Sequence, residues 1–192
     1  NTQRPAFMTR HLVKRGGDIA LSLFGILFLL SWLIPMVGVV SWFVRGKGPI
    51  RMKPRIGRFG RQFNAYGFRV TQSGRWTSIL AKLPQLINVL LGQMSIVGPT
   101  PVNARHADYF ERHDPEFVTR HLVRPGMTGL AMVNGCDQPI ITHGQARAHL
   151  HWDMRYIRNW SVRLDLGILL ASLTGKGGAG SRRQIFQDAS LN

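Results

Sequence analysis

The feature that most constrains this sequence is an uncharged stretch at residues 19–44, IALSLFGILFLLSWLIPMVGVVSWFV. It is longer than the roughly 20 apolar residues that a helix needs to cross the core of a bilayer. No small-residue cleavage site follows it before Arg45, which disfavours a cleavable signal peptide. The stretch therefore predicts a membrane element.

Basic residues flank this stretch on both sides, between positions 4 and 15 and between positions 45 and 55. Basic flanks favour the cytoplasmic face, so both ends of the element prefer the same side. Pro35 lacks a backbone N–H and is expected to kink or break the helix, and Ser31 can help to satisfy the freed backbone. These observations favour a re-entrant helix that bends and returns, with a kinked spanning helix as the alternative.

The chain carries 25 Lys and Arg against 9 Asp and Glu, a net charge of +16. Such a balance predicts an anionic partner: nucleic acid, anionic lipid or a phosphorylated substrate. The apolar stretch argues against a soluble nucleic-acid-binding protein, so we expect no nucleic-acid partner. Residues 19–107 contain no Asp or Glu at all, and Cys136 is the single cysteine, which excludes an internal disulfide.

The remaining pattern predicts a mainly α fold with minor β. Residues 51–70 are rich in Gly and Arg and suit an irregular hairpin. Pro84 lies inside one apolar helical pattern, so the first turn of that helix could be a separate segment. The last predicted helix is too short to span a bilayer and is expected to be buried or interfacial. Helices are predicted over residues 78–91, 103–112, 145–159 and 164–173.

Three regions follow from this pattern. Residues 1–50 form a basic N-terminus and membrane helix, residues 51–174 a small cytoplasmic domain with interfacial amphipathic helices, and residues 175–192 a flexible basic tail. Three aromatic residues spaced four apart, beside several arginines, suit a helix at the level of the lipid headgroups, and ordinary core packing is the alternative. These aromatics are Trp152, Tyr156 and Trp160.

Five segments, read in order, resemble one known family. They are KRGGDIA (14–20), RIGRFGRQF (55–63), LPQLINVLLGQMSIVGPTP (83–101), VRPGMTGLAMVNG (123–135) and WDMRYIRNWSVRLDLGILL (152–170). Together they are similar to the bacterial sugar transferases, the monotopic polyprenol-phosphate phosphoglycosyltransferases.

This resemblance implies a re-entrant membrane helix with a catalytic domain on the cytoplasmic face of the bacterial inner membrane. It implies transfer of a sugar 1-phosphate from a nucleotide sugar to polyprenol phosphate, with Mg²⁺ and release of a nucleoside monophosphate. That step initiates exopolysaccharide or glycan assembly. The implied partners are the two substrates, anionic inner-leaflet lipids and other polysaccharide-assembly proteins.

In the family, an Asp–Glu pair just before the LPQL-like stretch carries the chemistry, with the Asp as nucleophile. This chain has Ala81 and Lys82 at those positions, so no catalytic residue is identified. It also has Gln93 in place of an acidic residue, and Thr100 and Cys136 in place of arginines. The alternative function is therefore a catalytically silent member that binds lipid carrier or nucleotide sugar, or that acts as a scaffold.

The candidate phosphate-binding residues lie in the Gly-rich and basic motifs. Arginine offers a bidentate fork to phosphate, and Gly-rich turns expose backbone N–H groups. The candidates are Arg55, Gly98, Pro99, Arg124 and Asn134.

Other acidic and nucleophilic residues are possible substitutes for the missing pair. Asp108 and Glu111, spaced i and i+3, are weak candidates for Mg²⁺, and Asp137 is another possible carboxylate. Lys82 could attack phosphorus only with a strongly lowered pKa. A last group, in the segment HLHWD, is His149, His151 and Asp153. Residues two apart on a helix face different directions, so this group is not expected to bind a metal.

Overall fold

The structure is a computed structural model that describes residues 3–37, 49–69, 75–136 and 140–174. This part of the chain is mainly helical with short strands, which confirms the predicted fold class. The predicted tail at residues 175–192 lies outside the described residues.

The chain forms two compact units that interleave along the sequence. The first contains residues 1–53 and 64–96, and the second contains residues 54–63 and 97–192. The predicted boundaries at residues 50 and 174 divide the chain into consecutive regions. The interleaved units do not test that division, so it stays a prediction.

Helix α1 (Gln3–Gly25) opens the first unit and continues through a π-helical turn, Ile26–Leu30, and on to residue 37. Pro35 lies within this helix and does not end it, so of the two predicted outcomes the break is wrong for the described backbone and the kink stays a prediction. Ser31 donates its hydroxyl hydrogen to the Leu27 carbonyl at 2.5 Å. Residues 38–48 lie outside the described residues, and the return of the chain to the same membrane face stays a prediction.

The described part of the chain has one helix that is long and apolar enough to cross a membrane, Leu12–Val37. Only 17% of its most apolar window is buried inside the structure. A core helix of a soluble protein would bury most of its apolar side chains, whereas this helix exposes them. The helix therefore indicates membrane association.

The predicted hairpin is formed by β1 (Ile50–Ile56) and β2 (Gln62–Phe68), with its base in the first unit and its tip in the second. The sheet order is β2-β1-β4. The predicted helix over residues 78–91 is two helices, because Pro84 has no N–H to donate and begins a new helix instead. This confirms the alternative raised by Pro84. The first unit continues with α2 (Arg75–Lys82) and α3 (Gln85–Leu90), and it ends within β3 (Ser95–Val97), whose last residue belongs to the second unit.

Helix α1 is attached to α3 through Arg15. The guanidinium donates to the carbonyls of Val89 at 2.7 Å and Leu90 at 3.0 Å. These carbonyls belong to the last turn of a helix, where the backbone leaves acceptors without partners and the helix dipole favours a cation. Gly25 faces Leu86, whose Cδ1 lies 2.7 Å from the point that a Cβ on Gly25 would occupy. The absence of a side chain at Gly25 thus allows α1 to lie close to α3.

The second unit is built around an apolar cluster between its helices. Strand β1 pairs antiparallel with β4, with Arg55 opposite Asn103 and Ile56 opposite Val102. The cluster comprises Val102, Ala107, Phe110, Phe117, Ile140, Ala146 and Leu150. The elements are β4 (Val102–Asn103), α4 (Ala104–His113), α5 (Glu116–Thr119), β5 (Gly126–Thr128), α6 (Leu130–Val133), α7 (His143–Arg158) and α8 (Val162–Thr174).

One aromatic residue of helix α7 that was a candidate for the headgroup level lies in the protein core instead. Tyr156 is buried, and its hydroxyl contacts the Val97 carbonyl at 3.1 Å and the Asp165 carboxylate at 2.8 Å. Trp160 donates its indole N–H to the same carboxylate at 3.0 Å. The headgroup interpretation is therefore wrong for Tyr156, because its ring and hydroxyl are satisfied inside the protein.

Helix α8 packs through a buried face and exposes an apolar stripe on the opposite side. Its buried positions are Leu164, Ile168 and Ala171. The spacing of the exposed apolar residues, four or three apart, places them on one face. An interfacial role for this helix stays a prediction. The stripe consists of Val162, Leu166, Leu170 and Leu173.

The β1–β2 turn places Phe59 in the left-handed region, with φ 59° and ψ 31°. This is the one non-glycine residue with positive φ among the described residues. Left-handed backbone costs an L-residue with a Cβ about 1–2 kcal/mol. The ring is exposed and contacts the Arg58 guanidinium at 4.5 Å, a pairing that contributes only about 0.5–1 kcal/mol at an exposed site.

We expect Phe59→Asn to raise the free energy of unfolding by about 1 kcal/mol, because Asn tolerates the left-handed region. The measurement is thermal unfolding in detergent micelles. Gly60, with φ 71°, supplies the control: Gly60→Ala is expected to lower stability by a similar amount. A lower free energy of unfolding in Phe59→Asn would contradict the interpretation that the Phe59 backbone is strained.

Candidate functional site

The resemblance assigns the catalytic pair to the positions of Ala81 and Lys82. These are the last two residues of helix α2 in the first unit. Ala81 is buried, and its carbonyl oxygen lies 3.0 Å from the point that a Cβ on Gly67 would occupy. Gly67 therefore lets strand β2 and the end of α2 approach closely. Lys82 is half-buried. A methyl group and an ammonium offer no oxygen ligand, so these two residues do not fit Mg²⁺.

Asp18 is the single carboxylate in the residues of the first unit. It is 7% exposed, and its oxygens accept hydrogen bonds from the Ser95 hydroxyl at 2.7 Å and the Ile96 N–H at 3.0 Å. Both oxygens thus tie α1 to β3. The first unit therefore has no carboxylate beside Ala81 and Lys82 that is not already engaged in holding the fold.

Gln93, which replaces an acidic residue of the family pattern, belongs to a buried polar network around Asn88. Asn88 is fully buried and donates from its side-chain amide to the Gln93 side-chain carbonyl at 2.6 Å and to the Asn64 carbonyl at 2.9 Å. Its own side-chain oxygen accepts from the Tyr66 N–H at 3.0 Å. At this position Gln93 supplies a neutral acceptor for a structural hydrogen bond.

The two Gly-rich motifs meet in the second unit. Gly98 donates its N–H to the Thr128 carbonyl at 3.0 Å, and Gly126 donates to the Pro99 carbonyl at 2.8 Å. The Arg124 carbonyl lies 2.7 Å from the point that a Cβ on Gly98 would occupy. The structure therefore brings Gly98, Pro99 and Arg124 together. The two glycine N–H groups are used within the fold, which leaves the Arg124 side chain as the group suited to phosphate.

Arg55 and Asn134 lie on other elements of the same unit. Arg55 is near the end of β1, and Asn134 donates its side-chain amide to the Leu130 carbonyl at 2.8 Å, at the end of α6. A basic residue outside the candidate set, Arg58, lies near Arg124: burial and then the charge of Arg124 lower its pKa. Sequence reasoning missed this proximity because the two arginines are far apart in the chain.

Thr100 replaces the arginine of the family's GPRP motif and borders a buried ion pair. Its carbonyl accepts a hydrogen bond from Arg120, and its hydroxyl is buried without a hydrogen-bond partner. Arg120 also contacts Asp153 at 2.6 Å, and both side chains are 1% exposed. Burial raises the pKa of Asp153 to about 6, although Arg120 and the Thr100 backbone pull it down.

The weak Mg²⁺ candidates lie on helix α4. Glu111 approaches the ring of His121 at 3.2 Å. Burial and then the charge of Asp108 raise the pKa of Glu111, and burial and then Arg120 lower the pKa of His121 to about 4. His121 is therefore neutral at pH 7, and its contact with Glu111 is not a charge pair.

The histidines of α7 do not converge on a metal. His149 is buried, His151 is exposed, and Asp153 is engaged by Arg120. No group of three potential metal ligands occurs among the residues that the structure describes. Asp137, the remaining candidate carboxylate, lies outside the described residues.

We expect Asp153→Ala to destabilise the protein by about 3–5 kcal/mol, because it leaves the Arg120 charge buried without a partner. The double variant Arg120→Met, Asp153→Leu should be close to wild type in stability. Arg147→Ala is the matched control, since Arg147 is an exposed arginine 3.9 Å from Asp114. Equal losses in the single and double variants would contradict a charge effect.

The lowered pKa of His121 is expected to make the free energy of unfolding depend on pH. Between pH 6.5 and pH 4 the unfolded chain takes up a proton at His121 and the folded chain does not, so the stability from His121 is lost as pH falls. The wild type should lose about 3 kcal/mol relative to His121→Gln between pH 7 and pH 4. Asp153, with its raised pKa, makes stability increase as pH falls. It does so equally in the wild type and in His121→Gln, so its contribution cancels when the two proteins are compared. A difference independent of pH would contradict the assignment.

Comparison with known proteins identifies the family to which the sequence motifs belong. Residues 69–175 match the family model of the bacterial sugar transferases. An undecaprenyl-phosphate glucose phosphotransferase of Komagataeibacter xylinus is 32% identical, over 96% of this chain and 38% of that protein. A UDP-glucose:undecaprenyl-phosphate glucose-1-phosphate transferase of Xanthomonas campestris pv. campestris is 40% identical, over 72% and 34%. The exopolysaccharide production protein PSS of Rhizobium leguminosarum bv. phaseoli is 32% identical, over 86% and 95%.

The chain spans less than two fifths of the length of the first two relatives and nearly all of the third. The family model covers more than half of the chain, and the match to the Rhizobium protein extends over almost all of that protein. With its exposed apolar helix and its ordered motifs, this chain belongs to the bacterial sugar transferase family.

Proposed function

We propose that this chain transfers a sugar 1-phosphate from a nucleotide sugar to polyprenol phosphate and so initiates exopolysaccharide or glycan assembly. The observation that carries the proposal is the match to the Rhizobium exopolysaccharide production protein over 95% of its length. The names of the Komagataeibacter and Xanthomonas relatives suggest UDP-glucose as donor and undecaprenyl phosphate as acceptor.

The proposed location is the inner membrane of a bacterium, with the soluble part facing the cytoplasm. Basic residues on both flanks of the apolar stretch support this orientation. Anionic inner-leaflet lipids are the partners of these charges, and the exposed apolar stripe of α8 suits the membrane surface. Other polysaccharide-assembly proteins are partners by the same reasoning from the family.

Substrate phosphates are assigned to the second unit, around Arg124 with Gly98 and Pro99. The backbone hydrogen bonds of the two glycine motifs support this assignment, because they fix the main chain that directly follows Arg124. A rigid main chain reduces the entropy lost when the guanidinium binds a phosphate. Arg55 and Asn134 complete the proposed set.

The proposed reaction is a single displacement. An oxygen of polyprenol phosphate attacks the β-phosphorus of the nucleotide sugar, and the bond from that phosphorus to the bridging oxygen breaks. The nucleoside monophosphate leaves with the bridging oxygen. Ala81 and Lys82 support this route over a covalent enzyme intermediate, because neither supplies a carboxylate nucleophile. No step is assigned to Mg²⁺, and Asp108 and Glu111 remain only weak candidates for it.

A catalytically silent binding or scaffold protein is the second candidate. The observation that most favours it is the carboxylate-free span of residues 19–107, which includes the Ala81 and Lys82 positions. Such a protein would still bind the nucleotide sugar or the lipid carrier without turning them over.

The test is release of UMP from UDP-glucose by the protein in nanodiscs that contain undecaprenyl phosphate. We expect sequential kinetics, and no protein-bound label when donor labelled at the β-phosphate is supplied without acceptor. Arg124→Ala should lower kcat/KM for the donor about 10- to 100-fold through loss of a charged hydrogen bond, whereas Arg147→Ala should not.

Donor binding without UMP release, across a panel of nucleotide sugars, would favour the silent protein. Failure to bind or turn over any member, together with failure to bind undecaprenyl phosphate, would overturn both candidates. Addition of EDTA separates turnover that requires a divalent cation from turnover that does not.

A further inference from the structure

The tip of the β1–β2 hairpin combines two features that are each unfavourable in a free protein. Phe59 has a left-handed backbone, and its ring is 63% exposed. Backbone strain persists where something else compensates for it, and an exposed aromatic ring gains little from its own fold. The contact described for this ring is the exposed stack on the Arg58 guanidinium. The ring is therefore positioned to be buried by something outside the chain.

A second exposed apolar side chain lies beside this tip. Arg58 donates from Nε to the Leu122 carbonyl at 2.9 Å, which joins the hairpin turn to the 3₁₀ turn Arg120–Leu122. The Leu122 side chain is 56% exposed. All of these residues belong to the second unit. The fold thus holds an aromatic ring and a leucine at one exposed place.

The charged residues of the hairpin tip itself have a single sign. Residues 54–63 contain three arginines and no Asp or Glu. The partner of this place is therefore anionic as well as apolar.

We infer that this hairpin-tip surface, formed by Arg58, Phe59, Arg61 and Leu122, rests in the headgroup layer of an anionic bilayer. The Phe59 ring and Leu122 enter the boundary between headgroups and acyl chains, and the arginines contact lipid phosphates. Aromatic rings and arginine at that depth are typical of membrane interfaces. The inference rests on the membrane association of the chain and is independent of sugar transfer.

Lipid is favoured over a protein partner for two reasons. The exposed apolar helix Leu12–Val37 keeps a bilayer within reach of every copy of the chain. An acidic protein surface would also be expected to present groups that match individual side chains, whereas a row of arginines around two apolar residues suits a fluid anionic surface.

The experiment measures depth at single nitroxide labels. Cys136 is first replaced, Cys136→Ser, and labels are placed through Phe59→Cys or Leu122→Cys in the full chain. Leu27→Cys, on the exposed apolar helix, is the control for insertion, and Ile141→Cys, equally exposed in the second unit, is the control for water. Nanodiscs contain either phosphatidylcholine alone or phosphatidylcholine with about one third phosphatidylglycerol.

In anionic nanodiscs, the ratio of oxygen to nickel-chelate accessibility should be several-fold higher at positions 59 and 122 than at 141. Pure phosphatidylcholine should reduce this difference. Introducing Phe59→Asn should move the label at 122 toward the value at 141 without changing the label at 27. The same variant should leave donor binding near Arg124 measurable, because it removes no charge.

The inference would be overturned if the labels at positions 59 and 122 were as accessible to water as the label at 141 while the label at 27 remained in the bilayer. That result would leave membrane association of the chain intact. Labels shielded from both oxygen and nickel would indicate a protein partner or a second copy, and would also overturn it. Equal depth with and without phosphatidylglycerol would refute the role of the arginines. A label at 27 in water would instead refute membrane association itself.

Discussion

The contact of Asp18 with β3 fixes the membrane helix to the first unit. This carboxylate lies in α1, just before the apolar stretch, and accepts from Ser95 and from the Ile96 N–H. A buried carboxylate is strongly unfavourable unless its oxygens are hydrogen-bonded, so the helix cannot slide along its axis without losing these partners. Arg15 and Gly25 then align the same helix with α3. The helix that carries the apolar stretch thereby acquires one defined position.

The same use of carboxylates limits the chemistry. Asp18 is engaged in the first unit, Asp153 balances Arg120, and Asp165 holds Tyr156 and Trp160. These acidic groups support the fold rather than a reaction. A basic chain with its buried acids engaged is suited to bringing two phosphorylated substrates together, because positive charge offsets their mutual repulsion. It is poorly suited to supplying a carboxylate nucleophile.

Much of the fold could be predicted from local pattern. Helices α4, α7 and α8 begin and end within two residues of the predicted positions, because apolar periodicity and caps define them. Asn103 caps α4, and Thr142 and Gln145 form a capping box at α7. The role of Tyr156 could not be predicted, because an aromatic stripe has the same spacing whether it faces lipid or protein core.

Of the candidate site, sequence motifs identified Gly98, Pro99 and Arg124, which the fold brings together. They could not indicate that the glycine N–H groups are occupied, because their acceptors come from the other motif. Gln93 was identified as a departure from the family pattern, and only the fold explains its neutral side chain. Its partner Asn88 is fixed by contacts with a strand more than twenty residues earlier.

The sequence by itself determined the apolar helix, the positive charge, the order of the helices and the family. These are properties of composition, periodicity and motif order, which need no knowledge of distant contacts. Tertiary structure decided which of the 25 basic residues is buried against a carboxylate and which arginines come close together. Those outcomes depend on desolvation and on partners distant in sequence, and so they exist only once the chain has folded.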